Sequence, residues 1–331
     1  MQASSQRTTG QVRLALMLII GVVAAAACVL TLMWWKAPVV SAQDEGGGTG
    51  ANFVVSCGFT GIEKRAAVDP IVDPGNPTSF HLHDFFGNTT TNENSTLESL
   101  RAAQYPPDAP DDPGTTCEPK PGLPPNETFG DTAAYWIPTV SWTDSRGKIT
   151  PLEANQTFFY YRAGLKDPVD VQPQPDGLKI VTVQGKNVEW RCQNGDWSTR
   201  PPNRCENGTL VVRIFFPDCL AVDDSVQPPQ PLLDTDPDDP NAIPHRSHMV
   251  AAGSAGCPST HPYPVPRLQT NFLFKNIPTT KGKPTLSSGD YSTMHADFFN
   301  AWQEGALEDL VKRCINDAPF SASNPKDADC G

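Results

Sequence analysis

Residues 134–142 read AYWIPTVSW and residues 157–162 read TFFYYR. Both runs are short and rich in aromatic or β-branched side chains, which is strand composition. Runs of the same kind occupy 52–57, 178–184, 187–192, 210–216 and 268–274. Gly185-Lys186 stands between two of them and predicts a hairpin turn. With 34 Pro and 25 Gly in 331 residues, loops and turns take up much of the chain, which argues against a helical bundle. The fold expected is mostly β, a single β-sandwich or jelly-roll-like domain with long Pro-rich loops.

Two helices are expected beside the strands. Ser95-Thr96-Leu97-Glu98 has capping-box spacing and predicts a short helix near 95–103. Phe298, Trp302, Ala306, Leu310, Val311 and Cys314 recur at helical spacing, predicting a packing helix near 297–316. The Pro-rich stretches 105–125 and 217–244 cannot join a central sheet and should cross the surface.

Leu14 to Trp35 is a 22-residue run without a charge, long enough as a helix to cross a bilayer. Arg7 and Arg13 precede it, so the amino terminus is expected on the cytoplasmic side. Val40-Ser41-Ala42 offers a signal-cleavage site. The two readings are a single-pass anchor in the cell membrane or secretion after cleavage near Ala42. In either, residues 1–43 are the anchor or signal, 44–51 a Gly-rich linker, and 52–331 an exported domain.

Cysteine content agrees with export. Setting aside Cys28 in the apolar run, eight remain, an even set that implies a disulfide framework. Cys192–Cys205 is expected as a local staple and Cys219–Cys257 as the closure of an acidic loop. The net charge of −12 excludes a general nucleic-acid binder, which needs Lys and Arg to neutralise phosphates.

The six histidines are the main chemical signal. His81 and His83 form H-x-H, and alternate residues of an extended chain face one side, so both rings can grip one metal ion or one substrate. Asp84 is expected to orient them. His245 and His248 form H-x-x-H, His261 follows Cys257-Pro-Ser-Thr, and His295 precedes Asp297. Nitrogen ligands would favour zinc or copper over calcium. Without a metal, imidazoles can move protons near neutral pH. The Gly-x-Ser-x-Gly-like stretch 252–256 lacks the strand and helix that a nucleophile elbow needs. The aromatic residues Tyr135, Trp136 and Trp302 are candidates to stack sugar rings.

Several ordered motifs carry a family resemblance. They are Asp69-Pro-Ile-Val-Asp-Pro-Gly, Ser79-Phe-His-Leu-His-Asp-Phe-Phe-Gly, Tyr135-Trp-Ile-Pro, Phe216-Pro-Asp-Cys, Ser247-His-Met, Cys257-Pro-Ser-Thr-His-Pro and His295-Ala-Asp-Phe-Phe-Asn-Ala-Trp. Over roughly 52–314 the chain resembles the exported family catalogued as domain of unknown function nineteen-ninety-six, found in actinobacteria and fungi. His81, His83, His248, His261 and His295 fall on its motifs; the resemblance brings no settled activity. The function expected is binding to, or action on, an extracellular polysaccharide. His81, His83, His248 and His295 would be the acid–base or metal-binding groups, Asp84 and Asp297 would orient them, and Trp136, Tyr135, His261 and Trp302 would hold substrate. The rival is a non-catalytic envelope module whose histidines are structural or bind metal.

Overall fold

A computed structural model describes residues 51–60, 65–103, 114–119, 130–233, 247–317 and 330. The described residues all belong to one compact unit. Its strands, in chain order, begin with β1 (Asn52–Cys57), β2 (His83–Gly87), β3 (Cys117–Pro119), β4 (Ala134–Pro138), β5 (Val140–Asp144), β6 (Ile149–Pro151) and β7 (Ala154–Arg162). Next come β8 (Lys179–Val181), β9 (Val188–Cys192), β10 (Thr209–Phe215), β11 (Cys219–Leu220), β12 (Val222–Asp223) and β13 (Gln230–Pro231). The rest are β14 (Met249–Val250), β15 (Tyr263–Pro264), β16 (Arg267–Lys275), β17 (Gly282–Leu286), β18 (Gly289–Asp290) and β19 (Asp297–Phe299).

Two antiparallel sheets make the sandwich. One has the order β3-β1-β7-β16-β10-β9 and the other β2-β4-β19-β8. Between them lie Phe53, Phe159, Tyr161 and Phe272 from the first and Phe86, Tyr135, Ile137 and Phe298 from the second, all buried. Ring centroids meet across the layer at 4.0 Å for Tyr135–Phe159 and 5.0 Å for Phe86–Phe272. The second sheet is buried on its other face as well. There Phe85, Trp136 and Phe299 pack under Val68, Ile71 and Leu100. A smaller sheet, β18-β17-β5-β6, continues from β4 through Thr139.

Four disulfides hold the unit: Cys57–Cys117, Cys192–Cys205, Cys219–Cys257 and Cys314–Cys330. The two pairs expected from sequence are among them. Such cross-links persist in oxidising compartments outside the cytosol.

Four expectations are corrected. First, no helix among the described residues is long and apolar enough to cross a membrane, so the anchor expected at 14–35 and the single-pass location drawn from it have no support. That segment and the cleavage site near Ala42 lie outside the described residues. Second, 178–184 and 187–192 are not a hairpin. Lys186 N–H does close a turn on Val183, but β8 pairs with β19 while β9 pairs with β10. The turn hands the chain from one sheet to the other. Third, the C-terminal helix begins at Ala306, not 297, and runs through Val311 into a wider turn at Lys312–Asn316. Asp297–Phe299 is instead an inner strand paired on both edges, and those pairings outweigh the helical spacing. Fourth, the capping box lies one residue later than expected. Thr96 caps the helix Leu97–Arg101 with Ser99 as its reciprocal partner.

Candidate functional site

The site lies on the outer face of the second sheet. Alternation along β2 sends His83 and Phe85 to that face and Asp84 and Phe86 to the opposite one. Asp297 of β19 is on the same face as His83, directly opposite Trp136 in register. His81 stands two residues before β2's first, and His295 two before β19's first, so two strands that flank β4 deliver the rings to one place. Ring centroids are 4.4 Å apart for His81–His83, 5.3 Å for His81–His295 and 6.0 Å for His83–His295.

One nitrogen from each of His81, His83 and His295 lies within 4.8 Å of the others. Three nitrogens on one tetrahedral zinc ion, at about 2.0–2.1 Å each, stand about 3.4 Å apart. The rings therefore need to close by no more than about 1.5 Å to share one ion. Their hydrogen bonds support the same arrangement. Nδ1–H of His83 donates to the Val68 carbonyl at 2.9 Å, and Nδ1–H of His295 donates to the Thr293 carbonyl at 2.8 Å. Each bond fixes a tautomer whose Nε2 lone pair is free to ligate, as metal-bound histidines require. Nε2 of His83 and of His81 are buried without a hydrogen bond.

Two carboxylates close the floor. Asp297 is fully buried and neither of its oxygens accepts a hydrogen bond; one lies 3.8 Å from Nε2 of His295. Asp69 approaches His83 and Asp297 closely enough for the three to form a second ligand group. Its Oδ1 accepts from Ile71 and Val72 backbone N–H, both at 2.9 Å. The indole N–H of Trp136 is buried without a well-aligned acceptor and faces that carboxylate. Burial, with the nearby Asp69, pushes the Asp297 carboxyl well above its usual range. Burial and the neighbouring rings push His83 well below the ordinary imidazole value, and burial takes His295 down to about 4. The rings are thus neutral at neutral pH, the form that binds a metal.

Other residues expected at the site stand elsewhere. Asp84 points to the opposite face, where it pairs with Arg65 at 2.6 Å and accepts from the Thr139 hydroxyl. Tyr135 and Trp302 are buried in the core. There Tyr135 meets the hydroxyl of Tyr161 at 2.6 Å, and the Trp302 indole donates to the same hydroxyl at 3.1 Å. Trp136 is also fully buried. None of these three rings has a free face on which a sugar could stack. His248 and His261 neighbour each other near β14 and β15, where burial and His248 lower His261. His245 and the acidic stretch 234–239 lie outside the described residues. Asp69, which sequence reasoning did not count as a site residue, belongs to it.

The family described as Domain of unknown function (DUF1996) matches residues 69–302. That stretch covers most of the chain and contains His81, His83, His295, Asp69 and Asp297. The chain is a member of this family. No curated protein matches it, and no solved structure matches it.

Proposed function

We propose that this exported domain is a metal centre in which His81, His83 and His295 hold one divalent transition-metal ion, zinc or copper, beside Asp297. The observation that carries this reading is the convergence of three neutral imidazoles on an unpartnered buried carboxylate. A buried charge without a partner is costly, and a cation between Asp297 and the rings removes that cost. A bound ion would supply Lewis acidity and an activated water. The protein's part is to fix the ring tautomers through Val68 and Thr293 and to keep a negative charge behind them.

The proposed substrate is an extracellular polysaccharide that approaches over Phe80. This ring is 83% exposed and is joined in sequence to His81, which is only partly buried. It takes the role first expected of Tyr135, Trp136 and Trp302. Elemental analysis of the purified protein tests the metal, with His83→Ala as the variant. One ion per chain in the wild type and a loss in the variant are expected. Absence of zinc and copper uptake by the wild type, or equal content in both proteins, would overturn the reading.

A further inference from the structure

The six-stranded sheet has a second face, turned away from the core, whose composition opposes the charge of the whole chain. Alternation along β7, β9, β10 and β16 puts Arg162, Arg191, Arg213 and Arg267 there. Arg162 and Arg267 are directly opposite each other in register. Aromatic rings lie among them. The Arg162 guanidinium is 4.8 Å from the Tyr160 ring, and Phe215 has Arg213 at 5.1 Å and Arg267 at 5.0 Å. Trp197 is between Arg191 and Arg213, 4.1 Å from each. The loop that carries Trp197 is tied down by the Cys192–Cys205 disulfide and by the pairing of Ser198 with Trp190.

Stacking against rings fixes each guanidinium as a flat, oriented fork of donors, the geometry that suits carboxylate and sulfate groups. Glu189 pairs with Arg213. Arg162 and Arg191 have no carboxylate partner among the described residues, and their Nε–H groups are buried without an acceptor. Like charges gathered on one sheet face repel one another. Burial and neighbouring guanidiniums weaken the hold of Arg162 and Arg191 on their protons. Such a face is costly unless something anionic covers it.

We infer that this arginine–aromatic face binds an acidic polysaccharide, one bearing carboxylate or sulfate groups at regular intervals. A row of cations spread over four strands suits a polymer better than a single small anion. The disulfides set the chain among extracellular polymers rather than nucleic acids. The inference sharpens the polysaccharide half of the reading above and requires no metal.

The test is retention of the full chain on immobilised heparin and polygalacturonate at low ionic strength, with an uncharged glucan as control. The wild type should bind both acidic polymers, elute with salt, and ignore chelator and the uncharged glucan. Arg162→Gln with Arg191→Gln should weaken binding by about tenfold or more. Phenylglyoxal footprinting of the wild type gives a readout independent of the variant's folding, and bound polymer should protect Arg191. No retention of the wild type, equal retention on the uncharged glucan, or stronger binding to single-stranded DNA would overturn the inference. So would an unprotected Arg191 or an unchanged double variant. Loss of binding on chelation would assign the polymer to the histidine site and also reject this face.

Discussion

Asp297 stands 3.8 Å from Nε2 of His295, and neither carboxylate oxygen has a hydrogen bond although the side chain is fully buried. A carboxylate kept in that position without a donor serves a cation or holds a proton. Asp297→Asn separates the two roles. In metal-free protein the variant should be no less stable than the wild type, because a buried group that resists ionisation is replaced by a neutral one of similar shape. With zinc added, the variant should bind about 10–100-fold more weakly. Its melting temperature should therefore rise less at the same zinc concentration. Equal zinc-induced shifts would remove Asp297 from the proposed centre.

Phe80 offers a test of the substrate side alone. Its exposure means Phe80→Ala should change stability by no more than about 0.5 kcal/mol. Metal content should stay at the wild-type level, while affinity for a bound glycan should fall, by about tenfold if the ring stacks on a sugar. Polysaccharide binding left intact by the truncation would mean that the polymer does not cross this ring.

How far the residues themselves announced this arrangement varies from element to element. The strand Asn52–Cys57 lies where its aromatic and β-branched run put it. His81 and His83 are together because a period of two is a local rule. Their meeting with His295 depends on β2 and β19 flanking β4, a pairing between distant segments that no local pattern encodes. Asp69 was hidden for a different reason. It caps the backbone of Ile71 and Val72, so its sequence reads as an ordinary turn residue. Tyr135 and Trp136 show the limit of alternation. Adjacent residues must face opposite sides, but β4 is buried on both, so neither ring reaches solvent. Phe298 and Trp302 keep helical spacing although the first is in a strand.

The same core supplies a test of what Tyr135 and Trp302 do. Both converge on the hydroxyl of Tyr161. Tyr161→Phe removes that hydroxyl, the acceptor of the Trp302 indole N–H there, and takes from the buried Tyr135 hydroxyl one of its two partners, the other being Asp131. Denaturant unfolding should report a loss of about 1–3 kcal/mol. Metal content and glycan binding should be unchanged. A parallel loss of either would return these aromatics to the functional site.

Asp131 anchors the far end of that network and should give the protein a pH-dependent stability. Its carboxylate accepts from the Ala133 N–H and from the Tyr135 hydroxyl, both at 2.9 Å. Burial is the larger influence and raises its pKa to about 7, against 3.8 for the free group. Between about pH 4 and pH 7 the folded chain therefore keeps a proton that the unfolded chain has released. The folded state binds more protons in that window, so this residue's contribution is complete below about pH 4 and is lost as pH rises towards 7. The slope is at most about 1.4 kcal/mol per pH unit, roughly 4 kcal/mol over the window. Above pH 7 the residue adds no further change. Asp131→Asn resembles the protonated form at every pH and cannot titrate. Urea unfolding of both proteins from pH 4 to pH 8 isolates the effect, since other titrating groups cancel in the difference. The variant should gain on the wild type steadily between about pH 5 and 7, then hold a constant lead. Parallel stability curves across that range would mean that Asp131 is ionised in the folded protein well below pH 7.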